Sequence, residues 1–270
     1  MTRRHILAGT LGALALVLGV GTAAAQFPAS ERIVSFSSDA TLQRSGELQV
    51  TETIVYDFAS RPRHGIFRYV PTQHQDPEGN KYYLTFTAGS VTDGSGKKWP
   101  VERSRQGGNE VLKIGDPDKT ITGRHTYRIS YTLDPVVRQV DDGAKPDLFS
   151  FNVTGNDWTV PIESASATIR FEPGIEALNT FCYTGPVGSR AADCVTAPAG
   201  NGYTVRTTDP LTPGEGLTVA NDLKAGSVGA YLEPNPPLWE RYNLLAYNGY
   251  FVGVLAFLGT GLSWIGGWLY

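Results

Sequence analysis

Apolar and polar residues alternate with a period of two over four stretches of the chain. Leu48, Val50, Ile54, Tyr56 and Phe58 alternate with Thr51, Thr53 and Asp57. His125, Tyr127, Ile129, Tyr131 and Leu133 alternate with Thr126, Arg128, Ser130 and Thr132. Ala165, Ala167, Ile169 and Phe171 do the same, and Tyr82, Leu84, Phe86 and Ala88 read as a fourth strand. Successive side chains of a strand point to opposite faces, so this pattern predicts strands buried on one face and wet on the other. That is the habit of antiparallel sandwiches. Turn chemistry separates the runs at Arg44-Ser45-Gly46, Asp93-Gly94-Ser95-Gly96, Gln106-Gly107-Gly108-Asn109 and Asp141-Asp142-Gly143. No amphipathic stretch is long enough, free of Gly and Pro, to predict a helix. The expected fold is therefore all-β: an antiparallel β-sandwich over residues 26–222. A loop from Val140 to Asp147 leaves two arrangements open, one large sandwich or two Ig-like modules at 31–135 and 147–222.

Two charges break the pattern. Glu52 falls in phase with Val50, Ile54 and Tyr56, and Arg68 falls in phase with Ile66 and Val70. A buried carboxylate is costly unless paired, so the two predict a Glu52–Arg68 pair. Such a pair serves either as an internal brace or as the polar floor of a pocket in which Arg68 grips an anionic group. Beside it runs the basic turn Arg61-Pro62-Arg63-His64-Gly65, which is either a phosphate or carboxylate site or a solvated corner. The candidate ligand-binding residues are accordingly Arg61, Arg63, His64, Arg68 and Glu52. Trp158, beside the polar Asn156 and Asp157, is placed with them as a support.

Both ends of the chain carry membrane signals. Arg3 and Arg4 precede 20 uncharged residues, Ile6 to Ala25, which close on Ala23-Ala24-Ala25. This predicts a signal peptide over 1–25 with Gln26 as the first mature residue. Thr2-Arg3-Arg4-His5-Ile6-Leu7 also resembles a twin-arginine signal, so the general secretory and twin-arginine routes both stay open. At the far end, Asn243 to Tyr270 is a run of 28 uncharged residues with aromatics near both ends, the pattern of a transmembrane segment. Six glycines suit such a span better than a soluble helix. Gly249 and Gly253 form a single GxxxG. Residues 223–242, with Pro234, Pro236 and Pro237, read as a semi-rigid stalk. The span lacks a closing Lys or Arg, which leads us to expect either a truncated relative of a longer membrane protein or an end stabilised by a partner helix.

Composition narrows the function. A chain of 270 residues with 41% hydrophobic residues builds an ordinary core, and 31 glycines with 17 prolines fit many turns. A net charge of −3 excludes binding a polyanion by bulk charge, so no nucleic acid is expected as partner. Cys182 and Cys194 are the two cysteines, and an exported chain predicts a disulfide between them, closing a loop worth about 3 kcal/mol. His64, His74 and His125 match no zinc spacing, and neither a metal nor a cofactor is expected. GxSxG, HExxH and Walker signatures are absent from the sequence.

Five motifs occur in one order: Val50-Thr51-Glu52-Thr53, His64-Gly65-Ile66-Phe67-Arg68, Ile114-Gly115-Asp116-Pro117-Asp118, Gly123-Arg124-His125-Thr126-Tyr127 and Asn152-Val153-Thr154-Gly155-Asn156-Asp157-Trp158. With Leu211-Thr212-Pro213-Gly214-Glu215-Gly216-Leu217, they resemble the N-terminal ectodomain of the YciQ-like bacterial predicted membrane proteins, over about residues 30–222. The resemblance implies a signal peptide, an extracytoplasmic β domain of unknown function and then membrane spans. It supplies no catalytic residues. The expectation is a single-pass protein of the cell membrane whose extracytoplasmic β-sandwich binds an envelope polymer or a membrane-protein partner. The alternatives are a cell-envelope hydrolase using carboxylates near Glu52 and Arg68, or a structural subunit of a membrane complex.

Overall fold

The computed structural model describes residues 30–76, 79–140 and 145–234. The signal peptide, the transmembrane segment, the Asp141-Asp142-Gly143 turn and the distal part of the stalk lie outside the described residues. Sixteen strands and no helix make up the described chain, which meets the all-β expectation.

Seven strands form the largest sheet: β1 (Arg32–Leu42), β2 (Leu48–Asp57), β6 (Thr85–Thr92), β9 (Arg124–Asp134), β12 (Ala165–Phe171), β14 (Cys194–Ala199) and β15 (Gly202–Thr207). Their order is β14-β15-β12-β1-β2-β9-β6. Every pairing is antiparallel except β1 with β12, where Phe36 faces Ala165 and Leu42 faces Phe171. A second sheet, β10-β11-β16-β13, comprises β10 (Val137–Arg138), β11 (Asp147–Asn152), β13 (Ala177–Gly185) and β16 (Gly216–Leu223). A third holds β3 (Gly65–Pro71), β7 (Val101–Gln106) and β8 (Asn109–Gly115), in the order β3-β8-β7. The short β4 (Gln73–Gln75) and β5 (Lys81–Tyr83) pair with each other.

One apolar core joins these sheets. The inward residues of β2 are Leu48, Val50, Glu52, Ile54 and Tyr56, all buried, as the period-two pattern predicts. From the second sheet, Phe149 meets Phe171 of the first edge-on at 6.4 Å, and the Tyr203 hydroxyl donates to Asn221 Oδ1 at 2.7 Å. The Cys182–Cys194 disulfide ties β13 to β14 and so links the two sheets covalently, as expected from the sequence.

One element differs from expectation. The strand read through Tyr82, Leu84, Phe86 and Ala88 is two strands in different sheets, broken at Leu84, and Ala88 is exposed. Leu84 leaves the ladder because its N–H donates to the Thr72 carbonyl at 2.8 Å instead of to a strand partner. Alternation continues across the break, so periodicity alone hides it. Residues 224–234, the start of the stalk reading, lie against the β domain: Val228 and Leu232 are buried, and Leu232 N–H donates to Val137 O at 2.7 Å.

Candidate functional site

Three of the sequence motifs, those that carry Glu52, Arg68 and Val153-Thr154, meet at a buried ionic centre. Glu52 projects from β2 and Arg68 from β3, two strands of different sheets, and their side chains meet in the core at 0% and 1% exposure. The guanidinium grips the carboxylate with both tines: Nε donates to Oε2 at 2.8 Å and Nη2 to Oε1 at 2.6 Å. Nη2 also reaches Val153 O at 3.3 Å, and Nη1 donates to Thr154 O at 2.9 Å and to Tyr69 O. An arginine has five N–H donors, and here each has an acceptor. Tyr131 of β9 completes the carboxylate shell, donating its hydroxyl to Glu52 Oε1 at 2.6 Å. The Phe36 ring covers the guanidinium at 5.3 Å.

Local chain geometry makes room for this cluster. Gly155 sits at φ +71°, and a Cβ there would stand 2.8 Å from Arg68 Nη1 and 3.0 Å from Tyr69 O. A side chain at 155 would push the Thr154 carbonyl and the guanidinium apart. Trp158 is buried rather than displayed beside its polar neighbours; its indole N–H donates to the same Thr154 carbonyl at 2.9 Å, and its ring meets Phe36 edge-on. It supports the carbonyl that supports Arg68.

Electrostatics agree with this geometry. Burial works against the Arg68 charge, but the Glu52 carboxylate outweighs it and holds the guanidinium above its ordinary value. Burial first, and then the Glu52 charge, push the Tyr131 phenol well above the usual tyrosine range. The centre is a sealed carboxylate–guanidinium–phenol cluster whose groups are all occupied. A carboxylate that acts as a general acid or base must be reachable by substrate, and Glu52 itself is sealed in the core at 0% exposure.

The basic turn is built differently. Gly65 and Gly115 face each other across β3 and β8 so closely that a Cβ on either would fall within 2 Å of a backbone oxygen, Ile114 O or His64 O. That approach holds the turn against the 116–119 loop. The His64 imidazole fastens it: Nδ1 lies 3.2 Å from Asp116 O and 3.1 Å from Lys119 O, so with two carbonyls as partners Nδ1 carries the proton. Arg63 Nε pairs with Glu31 Oε1 at 2.7 Å. Arg61 is exposed and forms no ion pair among the described residues. The six residues named from sequence thus divide. Glu52, Arg68 and Trp158 come together in the core, while Arg61, Arg63 and His64 lie on the surface at one end of β3.

Between the two groups runs a groove of about 470 Å3, lined among others by Arg63, Phe67, Tyr69, Trp158 and Val160. Phe67 stands half exposed on the outer face of β3, near Tyr69. Tyr56, at the groove's base, has its phenol pushed up to about 12, first by burial and then by the Glu31 carboxylate. Sequence reasoning missed Phe67, Tyr69 and Tyr131. Tyr131 had a readable signal: a phenol on the buried face of β9 requires a hydrogen-bond partner. Phe67, an apolar residue out of phase with Ile66 and Val70, also had one.

Comparison with known proteins fits this frame. Residues 32–221 match the family described as predicted membrane protein (DUF2207) N-terminal domain. Uncharacterized protein YciQ of Escherichia coli K12 is 28% identical over 150 residues, covering 54% of this chain and 23% of YciQ. The chain thus spans under a quarter of that relative. Among solved structures, leukotriene A4 hydrolase from Saccharomyces cerevisiae aligns over 71% of this chain and 29% of its own, at 8% identity and TM-score 0.42. An M1 zinc metallopeptidase from Deinococcus radiodurans aligns over 70% and 42%, at 11% identity and TM-score 0.40. Likeness at this level carries no chemistry to the present chain. The motifs gathered around Glu52 and Arg68 and the match over 32–221 place the chain in the DUF2207 family of predicted membrane proteins, whose function is unknown.

Proposed function

We propose that this chain is a membrane-anchored, single-pass protein whose extracytoplasmic β-sandwich binds an envelope component or a membrane-protein partner. The groove beside the basic turn carries this reading. Arg, Trp, Tyr and Phe are the residue types that concentrate binding energy in protein interfaces, and Arg63, Trp158, Tyr69 and Phe67 line this one depression. Trp158 and Tyr69 are also fixed to the brace, Trp158 through Thr154 O and Tyr69 through its carbonyl on Arg68. The groove therefore has a stiff floor, which lowers the ordering cost of association. Arg63 is matched to Glu31 and Asp157 adds a further carboxylate to the rim, so the groove offers an aromatic surface without excess positive charge, not an anion trap. The hydrophobic runs at 6–25 and 243–270 support the anchored, exported placement.

A photo-crosslinking residue at Phe67 in the membrane-embedded full chain tests this, with one at the equally exposed Leu178 as reference. We expect a discrete adduct from position 67 that is missing from position 178 and lost on Arg63→Glu. Equal adducts at both positions, or none at 67, would overturn the groove as the interface. A structural subunit of a membrane complex is the second reading, favoured by the complete burial of Glu52 and Arg68. It predicts an adduct that survives Arg63→Glu.

A further inference from the structure

A larger depression lies over the outward face of the β10-β11-β16-β13 sheet. Ser150 and Asn152 of β11, Thr218 of β16 and Tyr183 of β13 form its floor, with Asn152, Thr218 and Tyr183 in one register row across three strands. β4 and the β7–β8 turn make one wall, and the 185–189 turn the other. Its volume is about 870 Å3, room for several pyranose rings.

Three observations define what it can hold. The first is charge. Asp157 is the sole Asp, Glu, Lys or Arg among the lining residues, and burial pushes the His74 imidazole down toward its neutral form. The second is hydrogen-bonding capacity. The Ser150 and Thr218 hydroxyls, the Tyr183 phenol, the Gln73 amide and the His74 ring make no hydrogen bond to any described residue. Each of these groups can both donate and accept. Their neighbours are fixed by contrast. Asn156 donates to Gly185 O and Gly214 O, both at 3.1 Å, and accepts from Asn152 Nδ2 at 2.8 Å. The third is backbone. β13 is the edge strand on this side, and at the cleft Thr184 N–H is already given to Ala191 O at 2.8 Å, so that edge is closed to an incoming peptide strand.

We propose that this cleft is a binding site for an uncharged oligosaccharide chain. Sugar hydroxyls both donate and accept, which matches the unengaged hydroxyls, amide and imidazole of the floor and wall. The half-buried Tyr183 offers an aromatic face for the C–H side of a pyranose. An anionic polymer finds no cation among the lining residues, and an apolar ligand would strand the polar floor without partners. The site is separate from the Phe67 groove, although Asp157 stands on the rim of both.

The test is calorimetric titration of the detergent-solubilised full chain with cellotetraose, maltotetraose and the N-acetylglucosamine tetramer, with tetra-alanine as the peptide probe. At least one tetrasaccharide should bind saturably and tetra-alanine should not. The double variant Ser150→Ala/Thr218→Val removes two hydroxyls without a partner among the described residues, so it should keep the parent melting temperature and weaken saccharide binding by about tenfold or more. Tyr183→Leu should remove binding; if that variant does not fold, the double variant decides. No binding by any tetrasaccharide, unchanged affinity in the double variant, or preferential binding of tetra-alanine would each overturn the proposal.

Discussion

Arg63 and Arg68 are five residues apart in the same stretch of chain and each is paired with a glutamate, yet they do opposite work. Arg63 is 48% exposed and holds Glu31 through one contact at 2.7 Å; Arg68 is 1% exposed and has an acceptor for every donor. Strand phase decides which arginine goes where. In β3 the positions of Ile66, Arg68 and Val70 face the core, while Arg63 lies before the strand, where the chain is still a surface turn. Desolvating an ion pair costs more than its attraction returns unless further hydrogen bonds complete both partners. At Arg68, three backbone carbonyls and Tyr131 supply that completion. Burial has thus made the inner pair a fixed part of the frame and left the outer pair at the edge of the groove.

The comparison breaks most sharply at Arg68. In Arg68→Ala the Glu52 carboxylate stays in the core with the Tyr131 hydroxyl as its one remaining partner, and three carbonyls lose the guanidinium, Thr154 O keeping the Trp158 indole N–H. Removing one member of a buried pair costs about 3–5 kcal/mol, which for a domain of this size lowers the melting temperature by roughly 10 °C or more. Thermal melts followed by circular dichroism check this; a midpoint within a degree or two of the parent would mean the pair is no brace. Arg68→Lys should recover little, because one ammonium cannot reproduce the two-pronged grip. Tyr131→Phe isolates the next contribution. It deletes one hydrogen bond to a charged acceptor, and we expect a loss of about 1.5–3 kcal/mol in denaturant unfolding.

Much of the inner pair was legible because a charge in phase with apolar neighbours must be explained, and the two out-of-place charges carried opposite signs. Their partners were harder to read. The carbonyls of Tyr69, Val153 and Thr154 are backbone groups with no sequence signature of their own, and Gly155 matters through its φ and the nearby guanidinium. Trp158 was placed correctly near the pair for the wrong physical reason: its polar neighbours suggested a surface, whereas its indole N–H faces inward to Thr154 O. The strand patterns of β2, β9 and β12 translated directly into buried faces, since alternation is a local property. β1 joining β12 in parallel is set by contacts far apart in sequence and had no local signal.

Alkali sharpens the contrast between inside and outside. The phenols of Tyr56, Tyr127, Tyr131 and Tyr203 are all held above the ordinary tyrosine value, chiefly by burial, Tyr56 at about 12. A phenol whose folded value lies above its unfolded value of about 10 gives stability that is complete below pH 10 and is lost as pH rises toward the folded value. The melting temperature should therefore be flat on the neutral side and fall above about pH 10, with these tyrosines ionising late in an ultraviolet titration. Early ionisation of all the tyrosines together would show that the core around Glu52 admits solvent.

Arg63→Ala should change stability least. Arg63 is 48% exposed and Glu31, though only 10% exposed, lines the groove, so the substitution leaves the carboxylate a route to water and costs less than removing a partner of the fully buried pair. The expected melting temperature lies within a few degrees of the parent at physiological salt, and the difference shrinks as salt is added. The effect should fall on recognition instead, because the mutation removes the guanidinium that borders Phe67 and Trp158 without disturbing the brace beneath them. Loss of the photo-adduct at position 67 with a melting temperature this close to the parent would separate the outer arginine's role from the inner one's. A melting temperature depressed as far as in Arg68→Ala would instead make Arg63 a second part of the frame, and the distinction drawn from strand phase would fail.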